Sequence, residues 1–224
     1  MNTEKAYASD RVVLLSIPSD IWYKRVYLIA DKKSWMDYEN FTVQIGDRGE
    51  FVYNFPDWYH GKYEPALYNE DISGDSLEDV IIVLNNDKAG IGNPLRDIHI
   101  LNQIRDPYQK YVEAPVEPIN LITDRLVKIE QHGNLVRILA DNKKYEIDIS
   151  KYDFSNPRDP YVSIDTIEYS IENGTLIGIV NVYVVRDDSV YGGYLGHLKI
   201  DYFWAGQMYK AKSITFKEHE PEKN

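Results

Sequence analysis

The chain has no cysteine among its 224 residues. Disulfides, thiolate metal sites and cysteine nucleophiles are therefore excluded. Positive charge is also scarce. Lys and Arg number 25 against 36 Asp and Glu, for a formal net charge of −11 and a pI near 4.9. No basic stripe offsets this balance, so nucleic acid and anionic membrane surfaces are repelled and cations are favoured. No window approaches the 18 or so consecutive apolar residues of a transmembrane helix. The opening residues carry no hydrophobic signal core, although Ala6-Tyr7-Ala8 before Ser9 fits the end of a signal peptide. An extracytoplasmic or secreted setting is the expectation. Low-complexity tracts are missing too. With 43% hydrophobic and 27% charged residues, the composition is that of a folded chain with a sizeable core.

What is present is mostly strand and turn. Runs rich in Val, Ile, Leu and Tyr at Arg11 to Ile17, Ile21 to Ala30 and Phe41 to Ile45 are separated by short turn signals. Gly46-Asp47-Arg48-Gly49 turns the third run back into Glu50 to Phe55, a hairpin signature. Val80 to Leu84 is apolar at every position, as a strand covered on both faces would be. Turns at His132-Gly133-Asn134, Asp141-Asn142-Lys143-Lys144 and Glu172-Asn173-Gly174 divide the second half into a meander, and Leu121 to Gln131 reads as a strand or as a short helix. A last hairpin folds around Ala205-Gly206. About a dozen strands at this spacing predict an all-β fold, antiparallel and hairpin-rich, as a sandwich or a partial propeller. The expected organisation is a leader over 1–10, one β domain over 11–216 and a charged tail over 217–224. Pro107, Pro115 and Pro118 make 106–120 the place for a subdomain boundary. Residues 53–63 and 186–194 read as loops, 85–94 as a long turn and Pro157-Arg158-Asp159-Pro160 as a linker.

One stretch points to specific chemistry. Oxygen-bearing side chains fall at alternate positions, Asp71, Ser73 and Asp75, and again at Asp79. In a tightly wound loop such side chains converge, and Ca²⁺ takes six to eight oxygens at such a point. Leu77 sits where a loop of this kind offers a backbone carbonyl. Five acids and no base lie between Glu70 and Asp79, so their mutual repulsion calls for a cation. The twelfth position is Ile82, not the bidentate glutamate of an EF-hand, and a strand leaves the loop where an EF-hand has a helix. Ser76 stands at the sixth position, where glycine is usual, so a left-handed backbone there costs about 1–2 kcal/mol.

The run from Asp71 to Asp79 followed by Val80-Ile81-Ile82-Val83 resembles the loop-then-strand unit of the FG-GAP/VCBS-type repeats. Those occur in exported and cell-surface β proteins, and there the loop binds calcium. The resemblance implies side-chain ligation by Asp71, Ser73, Asp75 and Asp79 and carbonyl ligation by Leu77. Gly74 matches the first glycine of the pattern; Ser76 departs from the second. The chain holds a single copy, so a full propeller of such repeats does not follow.

Other constellations are thinner. The histidines His60, His99, His132, His197 and His219 lack the spacing of a zinc helix, and His99 reads as a packed strand residue. A nucleophile elbow and a phosphate loop are both missing. Trp58, Tyr59 and Tyr63 stand on an aromatic stretch suited to stacking on a sugar or holding a partner protein; the plainer reading is that they cap one end of the core. The expected protein is therefore a module with one structural Ca²⁺ that binds a protein or a carbohydrate. Two other readings stand beside it: an enzyme acting on cell-wall or polysaccharide substrates, which would need two carboxylates flanking the scissile bond, and a β domain with an empty acidic turn.

Overall fold

Fifteen β-strands and one short α-helix occupy the residues that this computed structural model describes, 10–88, 90, 94–106, 110–187 and 189–220. The strands fall into four antiparallel sheets that follow one another along the chain, each an up-and-down meander. The first holds β1 (Asp10–Ile17), β2 (Val26–Lys32), β3 (Tyr38–Ile45) and β4 (Phe51–His60). The second holds β5 (Ala66–Glu70), β6 (Asp79–Asn85), β7 (Arg96–Gln103) and β8 (Tyr111–Ala114). Helix α1 (Ile119–Leu126) leads straight into the third, β9 (Val127–His132), β10 (Leu135–Ala140) and β11 (Lys143–Asp148). The fourth is built of the longest strands, β12 (Arg158–Glu172), β13 (Thr175–Arg186), β14 (Ser189–Trp204) and β15 (Tyr209–Glu218).

Turn chemistry accounts for much of this. Asn173 and Gly174 join β12 to β13 with φ of 51° and 70°, and Asp141 and Asn142 join β10 to β11 with φ of 44° and 65°. Two consecutive left-handed residues match the twist of the flanking strands, which is why Asn, Asp and Gly recur there. Burial then sets the layers. Val80, Ile82 and Leu84 of β6 pack with Val26, Leu28, Phe41 and Val43 of the first sheet. Ile81, on the opposite face of β6, joins Ile138, Ile167, Leu198 and Ile214 in the core shared with the third and fourth sheets. The second sheet is thus a middle layer, and β6 is covered on both faces as its sequence predicts. Each such side chain contributes about 1.5–3 kcal/mol on burial. β12 packs on both β7 and β9 and so ties the second, third and fourth sheets together.

Several expectations give way here. Residues 53–60 are strand, not loop: β4 runs through Trp58, Tyr59 and His60. The expected strand from Ile21 opens instead with a 3-10 turn at Trp22–Lys24. β12 begins at Arg158, inside the expected linker, and β13 ends at Arg186 and β14 begins at Ser189, within the stretch 186–194 expected as a loop. β15 continues to Glu218, whose carboxylate takes bonds from Lys151 and the Tyr152 hydroxyl, so the expected tail is paired at least that far. The 121–131 stretch contains both alternatives, the end of α1 and then β9. In 106–120 the chain forms β8 and enters α1, with Pro107 outside the described residues. Ala6-Tyr7-Ala8 and Ile91 to Asn93 also lie outside them.

Candidate metal site

The loop from Asp71 to Glu78 joins β5 to β6, and it is wound by its own carboxylates. Asp71 accepts the N–H of Gly74 on one oxygen at 2.7 Å and that of Ser76 on the other at 2.9 Å. Asp75 accepts the Leu77 N–H at 2.9 Å. Gly74 and Ser76 both take positive φ, 82° and 69°, so the strain expected at Ser76 is present. At the far end Asp79, the first residue of β6, is fully buried. One of its oxygens accepts Ile72 N–H at 3.2 Å and Ser73 N–H at 3.0 Å, and the other accepts Gln103 N–H at 3.0 Å. Burial pushes the Asp79 carboxyl above its ordinary range, while the three amide bonds and the Ser73 hydroxyl pull the other way.

The five site residues are thus brought onto one loop, but not symmetrically. Asp71 and Asp75 lie at its rim, Asp75 exposed, and Asp79 lies at its floor. The Ser73 hydroxyl is buried and faces the Asp79 carboxylate, with no partner at ordinary hydrogen-bond geometry among the described residues. No group of three His, Cys, Asp or Glu side chains gathers as a metal cluster among the described residues. A calcium ion here would draw on the Ser73 hydroxyl and the Leu77 carbonyl as well as on carboxylates. Asp71 fits that role, because each of its oxygens keeps a lone pair after its amide bond. Asp79, spent on three amides, is the least available.

Positive charge reaches the loop from elements distant in sequence. Lys24, on the 3-10 turn, lies 3.1 Å from both oxygens of Glu78, and Arg105 donates to the Asp75 carbonyl at 3.3 Å. The acids are therefore partly neutralised without an ion. No local pattern announces either base; both are long-range contacts.

The three aromatic candidates part company. The Trp58 ring is buried, stacked between Phe55 at 3.8 Å and His99 at 3.7 Å. It belongs to the core, as does the half-buried His99 that covers it. Tyr59 is held by the carboxylates of Asp37 at 2.6 Å and Asp87 at 3.0 Å, with Lys88 Nζ 3.7 Å from its ring centre. Burial first, and then Asp37, pushes the Tyr59 hydroxyl up. Tyr63 alone is well exposed, at 68%, beneath the Arg96 guanidinium.

Two clefts flank the loop from Asp71 to Glu78. One, of about 530 Å³, separates Ser73 and Gly74 from the fourth sheet near Glu172, Asp201 and Trp204. Its acids are engaged: Lys199 donates to Glu172 and the Ser213 hydroxyl to Asp201. The other, of about 340 Å³, lies between Ser73, Asp75, the end of β7 and the β14–β15 turn. Compared with protein-family models, curated proteins and solved structures, the chain finds no match in any of the three. No helix among the described residues is long and apolar enough to cross a membrane.

Proposed function

We propose that the protein is an extracytoplasmic binding module in which one Ca²⁺, held by the loop from Asp71 to Asp79, braces the second sheet against the fourth. The consecutive meanders are read as an open, propeller-like run of blades. The observation that carries the proposal is the buried Ser73 hydroxyl at the third ligand position, which faces the Asp79 carboxylate but meets no partner at ordinary hydrogen-bond geometry, so its lone pairs are free. An unsatisfied buried group costs about 1–3 kcal/mol, and a cation at the centre of the loop would take up its lone pair. The prewound backbone supports the same reading, since Gly74 and Ser76 already hold the left-handed geometry of a closed loop. Ligation would come from Asp71, Ser73, Asp75 and the Leu77 carbonyl, with Asp79 shaping the floor.

Extracellular calcium modules bind at about 10⁻⁴–10⁻³ M. A tenfold excess over Kd then adds about 1.4 kcal/mol to folding, which for a chain of this size raises Tm by about 3–6 °C. Thermal melts in calcium and in chelator measure this directly, and Asp75→Ala is expected to abolish the difference. A second reading has its own support: five amide–carboxylate bonds from Asp71, Asp75 and Asp79 close the turn, with no cluster of three acids among the described residues. Equal melting points in calcium and chelator would establish that self-contained turn and discard the ion.

A further inference from the structure

We infer that the 340 Å³ cleft between the metal loop and the β14–β15 turn is a binding site for a neutral sugar residue. The inference rests on the binding-module reading and deepens it by naming the place and the ligand class.

The volume lies at the small end of ligand sites, about 300–1,000 Å³. That suits a single sugar residue better than an extended polymer. Three amide side chains line the cleft, Asn102, Gln103 and Gln207. Two of them are fixed from behind. The Tyr209 hydroxyl donates to Asn102 Oδ1 at 2.8 Å, and the Tyr111 hydroxyl lies 3.4 Å from Gln103 Oε1. With those oxygens engaged, the NH₂ ends are the groups left to donate to a ligand hydroxyl. Asn102 is only 6% exposed, so it is a built part of the wall and not a surface side chain.

Two carboxylates, Asp75 and Glu113, also line the cleft and accept hydrogen bonds from hydroxyls. No Lys or Arg lines it, and the nearby Arg105 is directed to the Asp75 carbonyl, so acidic sugars and phosphates would meet the Asp75 and Glu113 carboxylates as like charge. Trp204, whose ring centre is 5.0 Å from that of the fully buried Tyr209, supplies the apolar wall together with Ile104, Val112 and Ala114. An indole face packs against the C–H face of a sugar ring, while amides and carboxylates at the rim read its hydroxyls. Ser73 also lines the cleft, with its hydroxyl buried behind the wall beside Asp79. A purely apolar ligand would leave these polar groups desolvated and unpaired, at about 1–3 kcal/mol each.

The test uses the full chain with glucose, galactose, mannose and N-acetylglucosamine as probes. Glucuronate and galacturonate serve as acidic controls and cyclohexanol as the apolar ring. Saturation-transfer NMR and tryptophan fluorescence are recorded in calcium and in chelator. At least one neutral sugar is expected to bind, and Trp204→Leu and the exposed-turn variant Gln207→Ala are each expected to weaken it about tenfold or more, while Tyr63→Ala leaves it unchanged. Gln207→Ala keeps the test decisive if Trp204→Leu fails to fold. The inference is overturned if none of the neutral sugars binds in either buffer. It is equally overturned if binding survives Gln207→Ala, or if the acidic or apolar controls bind as well. Sugar binding without any effect of calcium on Tm would remove the ion and leave the cleft. A calcium effect on Tm without sugar binding would do the reverse.

Discussion

Replacing Asp79 by alanine removes the one side chain on which three backbone N–H groups from two parts of the chain converge, those of Ile72, Ser73 and Gln103. A hydrogen bond to a charged acceptor contributes about 1.5–3 kcal/mol, and a buried donor left alone costs about 1–3 kcal/mol. Three such bonds set an upper bound near 9 kcal/mol. Two effects reduce it. The carboxylate itself is buried at a cost, which its raised pKa reports, and water can enter the space that alanine leaves. The expected loss is about 3–5 kcal/mol, a large part of the 5–15 kcal/mol by which domains are stable. Tm should fall by about 6–20 °C. Asparagine keeps an acceptor for the two loop amides but turns an NH₂ toward Gln103 N–H, so Asp79→Asn should lose about 1–3 kcal/mol. Urea titration measures the order wild type, Asn, Ala, and amide exchange at Ser73 and Gln103 localises it. An alanine variant within 1 kcal/mol of wild type, roughly the worth of one ordinary hydrogen bond, with unchanged exchange at both amides, would refute the reasoning.

Two further predictions follow from backbone and proton. Ser76 is exposed with φ of 69°, so Ser76→Gly should relieve about 1–2 kcal/mol of strain against about 0.4–1 kcal/mol of added unfolded-state entropy. The variant should melt about 1–3 °C higher, and a lower Tm would show that the loop is not strained there. His60 is 1% exposed, accepts Asn85 N–H on Nδ1 at 2.9 Å and lies with Nε2 3.1 Å from the Tyr63 carbonyl, so its ring is held neutral. Burial lowers its pKa from the ordinary 6.5. The unfolded chain therefore takes up a proton first, so the stability owed to neutral His60 is complete above pH 6.5 and is lost as pH falls from there toward the folded pKa. Denaturant midpoints across that window should fall more steeply for wild type than for His60→Gln; equal slopes would contradict the assignment.

The sequence is most legible where one local rule decides. Val80 to Leu84 reads as a doubly covered strand because no position offers a polar face, and β6 is that strand. Asn173-Gly174 and Asp141-Asn142 read as hairpin turns because few residues accept left-handed backbone. The misreadings at 53–60 and 158–160 share a cause. Each contains a proline, which ordinarily argues against a strand. β4 and β12 are both edge strands in which the proline falls at a register break. Pairing jumps from Phe41↔Phe55 to Glu39↔Tyr59 around Pro56, and from Arg158↔Val185 to Tyr161↔Tyr183 around Pro160. At an edge the missing N–H has no ladder to break. Trp58 therefore returns to the sheet and turns into the core, which a local reading of an aromatic loop could not foresee. The cleft was illegible for another reason: Asn102 and Trp204 are about one hundred residues apart, and nothing local marks them as neighbours.

Asp79 links the two proposed sites through its amides. Ser73 and Gln103 both donate their backbone N–H to it, and both line the sugar-sized cleft. An ion that tightens the loop would therefore hold one wall of the cleft in place, and Asn102 is tied to the same carboxylate through Tyr209, whose hydroxyl bonds Asn102 and interacts with Asp79. Linkage requires the effect to be reciprocal: if calcium strengthens sugar binding by some factor, sugar strengthens calcium binding by the same factor. Calcium titrations with and without the bound sugar, set beside sugar titrations with and without calcium, measure both factors. Because both parts of the wall meet at Asp79, the shared factor should fall within the usual range for coupled sites, about 5–150-fold. Asp79→Asn, which loosens Gln103 from the loop, should bring it toward one. A factor that survives that substitution would place the coupling elsewhere in the fold.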